Sequence, residues 1–84
     1  MNLRDLMIEA QARLRAAQIE NPGRDVRKFA AAALAVPSER LTLMSESAVS
    51  SEQVTHFESL VSQRLARKPV ARILGHREFL GTSV

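Results

Sequence analysis

The sequence predicts an all-α fold, a small bundle of about five helices with an extended C-terminal arm, and three observations carry that reading. The chain has 84 residues, enough for one small domain and too few for a doubly wound sheet with its own cofactor site. Its residues are 45% hydrophobic, yet 12 are Ala and only 3, all Phe, are aromatic. That balance favours helices packed through small side chains over a β-sandwich. Finally, apolar positions recur with a helical period along each of the long segments.

The first helix is expected over residues 2–18, where Leu3, Leu6, Met7, Ala10, Leu14 and Ala17 form one stripe. Asn2 is a natural cap, and Asp5 stands where a side chain could reach back to it. Asn21-Pro22-Gly23 breaks the pattern, Pro fixing φ at a turn or helix start and Gly tolerating what other residues cannot. A second helix is expected from residue 22 or 24 to 35, with Val26, Phe29, Ala30, Ala33 and Leu34 inward. The run Ala30 to Ala33 leaves it small on nearly all faces, which suits a central position in a bundle. Val36-Pro37 ends it, since the residue before Pro is pushed out of the α region.

Ser38 is the expected N-cap of a short third helix over Glu39 to Leu43, with Leu41 inward. Ser45 to Ser51 reads as a loop. Ser50-Ser51-Glu52-Gln53 reads as a capping box, opening a long fourth helix to about Arg67 that buries Val54, Phe57, Leu60, Val61 and Leu65. Pro69 opens a short fifth helix through Leu74, with Gly75 placed to close it. From His76 onward the helical period is lost. The expected organisation is therefore a helical domain over residues 1–75, then a linker over 76–84 that begins an interdomain strand. Phe79, Leu80 and Val84 are apolar residues there without a partner strand in the sequence, so the tail is expected to be mobile.

The chain has no Cys, which excludes disulfides and Cys-ligated zinc and agrees with a cytoplasmic setting. It begins without a signal-peptide pattern, and its longest apolar run, Phe29 to Val36, is far short of the ~20 residues of a membrane span. A membrane partner is not expected. The net charge of +3 is unevenly placed. Residues 63–84 carry five basic side chains, Arg64, Arg67, Lys68, Arg72 and Arg77, against Glu78 alone.

The inventory of chemistry is short. Gly23, Gly75 and Gly81 are too far apart for a phosphate-cradling loop. His56 and His76 have no carboxylates around them at metal-ligand spacing, and no Ser lies in a nucleophile-elbow context. No catalytic, cofactor-binding or metal-binding residue is expected. His56 reads as a surface histidine beside Glu52 one turn earlier, and Glu9–Arg13 and Asp25–Lys28 as local helix pairs. The basic tract is the best functional candidate. It either complements the negative end of the fourth helix's dipole or meets an acidic protein partner or RNA. DNA is disfavoured by the modest net charge, although the second and third helices form a paper helix-turn-helix. An adaptor without an enzyme attached is the remaining rival.

The run Arg67-Lys68-Pro69-Val70-Ala71-Arg72-Ile73-Leu74-Gly75-His76-Arg77-Glu78-Phe79-Leu80-Gly81 resembles the segment that precedes the catalytic domain in the HemK/PrmC family. These are S-adenosylmethionine-dependent methyltransferases acting on the glutamine of the Gly-Gly-Gln motif of peptide chain release factors. The resemblance extends to Arg24-Asp25 at the start of an apolar helix, and Leu80 departs from it where an aromatic residue is usual. The family's Asn-Pro-Pro-Tyr motif and Gly-rich cofactor loop are absent from these 84 residues. The resemblance thus implies the N-terminal, release-factor-recognition domain of such an enzyme, with S-adenosylmethionine held in a catalytic domain outside this chain. The expected partners are the release factor and that catalytic domain. Arg67, Lys68, Arg72, His76, Arg77, Glu78 and Phe79 are the expected contact residues.

Overall fold

The first helix, α1 (Leu3–Ala16), starts where the sequence places a cap: Asn2 Oδ1 accepts from the Asp5 amide at 2.9 Å. The two amides before it are satisfied from afar. Leu3 N–H donates to the Ser47 carbonyl at 3.0 Å and Arg4 N–H to that of Ser45 at 2.8 Å. The serine-rich stretch read as a plain loop is therefore the second half of α1's N-terminal cap, joined by a single antiparallel bridge between Asn2 and Ala48. In this computed structural model the described residues are 1–74. Gly75 and the arm over residues 76–84 lie outside them.

Helix α2 (Pro22–Leu34) begins directly at Pro22. Asn21, with φ at 51°, takes the left-handed conformation that the Asn-Pro-Gly break requires. Gly23 instead lies within the first turn, where an added Cβ would come within 3.3 Å of the Gln11 side-chain amide. The expected third helix contracts to one 3₁₀ turn, Ser38–Arg40, entered through Pro37 and without a side-chain cap from Ser38. Leu41 after it is buried as expected and Met44 half-buried. Helix α3 (Ser51–Leu65) opens with the complete capping box: Gln53 N–H donates to Ser50 Oγ at 3.1 Å, and Ser50 N–H to Gln53 Oε1 at 3.0 Å. A five-residue α4 (Val70–Leu74) closes the described chain, its Arg72 and Ile73 amides both reaching the Pro69 carbonyl.

The core runs along the predicted stripes. Leu3, Leu6, Ala10 and Leu14 of α1 meet Val26, Phe29 and Ala30 of α2 and Phe57, Leu60 and Val61 of α3, with Ile19, Leu41 and Ile73 closing the ends. Val54 and Leu65 are only half-buried at its margin. Helix α2 packs on both α1 and α3 and also touches the 3₁₀ turn and α4, the central position its alanines suggested. Fully burying a residue such as Phe29 or Leu6 stabilises the fold by roughly 1.5–3 kcal/mol each, so these contacts supply most of the stability available to a chain without disulfides.

The three long helices terminate alike. The Ile19, Val36 and Lys68 amides reach back five residues to the Leu14, Ala31 and Gln63 carbonyls, and the residue before each bonds three residues back. Those preceding residues, Gln18, Ala35 and Arg67, have φ of 63°, 58° and 72°. This is the Schellman geometry, which Gly usually occupies, built here on residues that carry a Cβ. Each left-handed residue costs roughly 1 kcal/mol. Ala35 is exposed, so Ala35→Gly should remove strain without loss of packing. Thermal unfolding is expected to show a gain of about 1 kcal/mol, or roughly 4–8 °C in Tm. An unchanged or lower Tm would show that the turn is not strained.

Candidate functional site

The basic tract forms the joint between α3 and α4, and most of its charge is turned to structural use. Arg64, in the last turn of α3, donates from Nε to Asp25 Oδ2 at 2.9 Å and from Nη1 to the Lys68 carbonyl at 3.0 Å. Asp25 is almost fully buried at 1% exposure, in the first turn of α2, where its negative charge also favours the helix dipole. Arg67 reaches from Nη2 to the Ala17 carbonyl at 2.8 Å, at the C-terminal end of α1 where a cation is favoured. Lys68 Nζ reaches Gln63 Oε1 at 3.3 Å. The joint is thereby fastened to the end of α1 and the start of α2 at once.

Arg67, Lys68 and Arg72 are all exposed; the first two combine the fastening role with access to a partner, and Arg72 makes no side-chain hydrogen bond among the described residues. The four other expected contact residues, His76, Arg77, Glu78 and Phe79, lie outside the described residues.

Two local pairs expected from spacing are replaced by long-range ones. Asp25 joins Arg64, 39 residues away, rather than Lys28, and Arg13 joins Glu58 at 2.6 Å, 45 residues away, rather than Glu9. A helical-neighbour argument sees only charges on one helix, whereas α1–α3 and α2–α3 packing brings opposite charges together across the bundle. A signal was present for the first: Asp25 lies one turn before Phe29, and Arg64 one turn after Leu60, so both extend core-facing stripes. The two ion pairs differ in weight. Arg13–Glu58 is partly exposed and contributes below about 1 kcal/mol. Removing Arg64 strands a buried carboxylate.

Beside the joint, α2, α3 and α4 enclose a groove of about 620 Å³ with an apolar floor that includes Ala32, Val36, Leu60 and Ile73. Lys28 and His56 stand on its rim. His56 is exposed, as expected, with no hydrogen bond to Glu52 among the described residues. The groove can receive an apolar chain segment. The helix-turn-helix alternative also loses its geometry here. Its third helix is a 3₁₀ turn of three residues, and a longer connection intervenes before α3, whereas the DNA-binding motif joins two helices through three or four residues. No helix among the described residues is long and apolar enough to cross a membrane.

The joint's pair gives a direct test. Arg64→Ala is expected to lower stability by about 3–5 kcal/mol in urea unfolding, and Asp25→Ala added to it to restore part of that loss. A single-variant cost under about 1 kcal/mol, the range of a surface pair, would show that the contact does not hold the joint.

Comparison with known proteins places this arrangement. A model of the PrmC N-terminal domain matches residues 5–75. A release factor glutamine methyltransferase of Cereibacter sphaeroides is 38% identical over 81 residues, covering 96% of this chain and 29% of that protein. The protein of the same name from Rhodospirillum rubrum is 37% identical over 67 residues, 80% of this chain and 21% of its own. That from Bradyrhizobium diazoefficiens is 37% identical over 70 residues, 83% of this chain and 24% of its own. The chain thus spans less than a third of the length of these relatives. No solved structure gives a significant match.

Proposed function

Because the chain belongs to the PrmC N-terminal domain family, we propose that it is the substrate-recognition domain of a cytoplasmic S-adenosylmethionine-dependent methyltransferase. Its substrate is the glutamine of the release-factor Gly-Gly-Gln motif. The observation that carries this reading is the family match, which spans nearly every described residue, together with relatives that all bear the name release factor glutamine methyltransferase.

The methyl donor is not seated here. The described residues contain four α-helices and no strand, and Gly23, their one glycine, is packed in α2 against Gln11 rather than in a loop after a strand. These residues do not fit S-adenosylmethionine, so its binding and the methyl transfer belong to a catalytic portion outside them. What this domain contributes is position. Binding energy gathered on a large protein surface, remote from the reacting glutamine, holds that side chain in place and lowers the entropic cost of reaching the transition state. A bundle fastened at its joint by Arg64 and Arg67 suits this task because a loose domain would return that entropy. Arg67, Lys68, Arg72 and Arg77 face the catalytic domain or the release factor in this reading.

The test uses the whole methyltransferase with those four residues changed to Ala, comparing methylation of intact release factor with that of a short Gly-Gly-Gln peptide. Recognition predicts a rise in KM of tenfold or more for the intact protein and little change for the peptide. An equal loss on both substrates would make the four residues a hinge to the catalytic domain. No loss on either would remove them from function altogether.

A further inference from the structure

A second concavity shares no residue with the joint or with the groove beside α4. It is a notch of about 300 Å³ bounded by α1, α2 and the turn after the 3₁₀ segment, where Met7 and Ile8 stand beside Leu41, with Arg4 and Arg27 on its rim. Ile8 is 58% exposed, and Leu43 on the same turn is 84% exposed. These two are among the few large apolar side chains that the described fold leaves in water. Arg4 and Arg27 are the only charged residues lining the notch among those described, and neither is in an ion pair there. Arg4 also lies in the first turn of α1, where a cation opposes the helix dipole. The helix dipole gives no reason for a cation at that position.

We propose that this notch docks a carboxylate-bearing apolar segment of the release factor, an inference that rests on the recognition role given above. Charge decides the occupant. Two guanidinium forks without an ion-pair partner among the described residues match acidic side chains in two-pronged geometry, while Met7 and Ile8 in the same notch supply apolar contact. A second copy docked notch to notch would set like charges against each other. Single-stranded RNA would find the phosphate-binding arginines but no aromatic ring in the notch on which to stack its bases.

The test again uses the whole methyltransferase, with Arg4→Glu, Ile8→Asp and Arg27→Glu made singly and together. All three side chains are exposed, so the fold should persist, and Arg4→Glu should melt no lower than the parent because it corrects the dipole mismatch. The expected result is a KM for intact release factor raised at least tenfold in the triple variant, with kcat and the rate on a short Gly-Gly-Gln peptide unchanged. Unchanged KM for the intact protein would overturn the proposal, as would equal losses on protein and peptide, which would assign the notch to the catalytic domain. Binding of a single-stranded RNA oligonucleotide that the variants abolish, with release-factor KM unmoved, would overturn it in favour of nucleic acid. The Ala variant of Arg67, Lys68, Arg72 and Arg77 in the whole methyltransferase separates the two readings. If it raises KM for the intact protein and the triple variant does not, only the notch is wrong. If neither variant raises that KM, the recognition role itself fails.

Discussion

The carboxylate of Asp25 sits in the protein interior, and everything at one end of the bundle is arranged around the guanidinium that meets it. Arg64 comes from the last turn of α3 and Asp25 from the first turn of α2, so the pair requires α3 to run back along α2 and stop beside its start. The same guanidinium holds the Lys68 carbonyl, which fixes the direction in which the chain leaves α3, and Arg67 then ties that turn to the end of α1. Helix α4 begins two residues later and closes the core with Ile73. A buried ion pair is weak as a source of net stability, since desolvation consumes most of the attraction. Its use here is specificity: any packing that separates the two residues strands a charge, so alternative registers of the three long helices are penalised.

Much of this was legible in the sequence because helical periodicity reports burial directly. The stripes on α1, α2 and α3, the Asn2 cap and the Ser50–Gln53 box all follow from local spacing, and each is in the structure. What spacing misses is whatever crosses the bundle. Asp25 and Arg13 had plausible partners on their own helices, and only the packing of α3 supplies the ones they use. The third helix failed for a related reason. Between Pro37 and the half-buried Met44 the chain must place Leu41 in the core and then carry the Ser45 and Ser47 carbonyls to the amides of α1, and a regular helix through residue 43 is exchanged for turns that do both.

The helix ends show the same precedence of tertiary over local demand. Gln18, Ala35 and Arg67 occupy left-handed positions where Gly would be cheaper, yet two of them return something for the strain. The turn at Gln18 delivers Ile19 into the core, and Arg67 must keep a side chain to reach the Ala17 carbonyl. The turn at Ala35 brings Val36 only to the margin of the core and the Ala35 methyl is itself exposed, which makes it the position where strain is least compensated. In the candidate site, Arg67 is correspondingly a residue with two obligations, closing α3 and bonding α1.

These contacts change the meaning of the basic tract. Summed along the sequence, residues 63–84 look like the one cationic surface of the chain, but within the described part Arg64 faces a carboxylate and Arg67 and Lys68 donate to acceptors of their own domain. A cation at a helix C-terminus or against a buried acid is explained by the fold. A cation at a helix N-terminus is not, because the dipole there already carries positive charge. Arg4, at the start of α1 beside exposed Ile8, is of the second kind. Position relative to the helix ends thus separates charges that the fold itself uses, whether or not they are also presented, from a charge that it does not use, a distinction that net charge and sequence clustering both conceal.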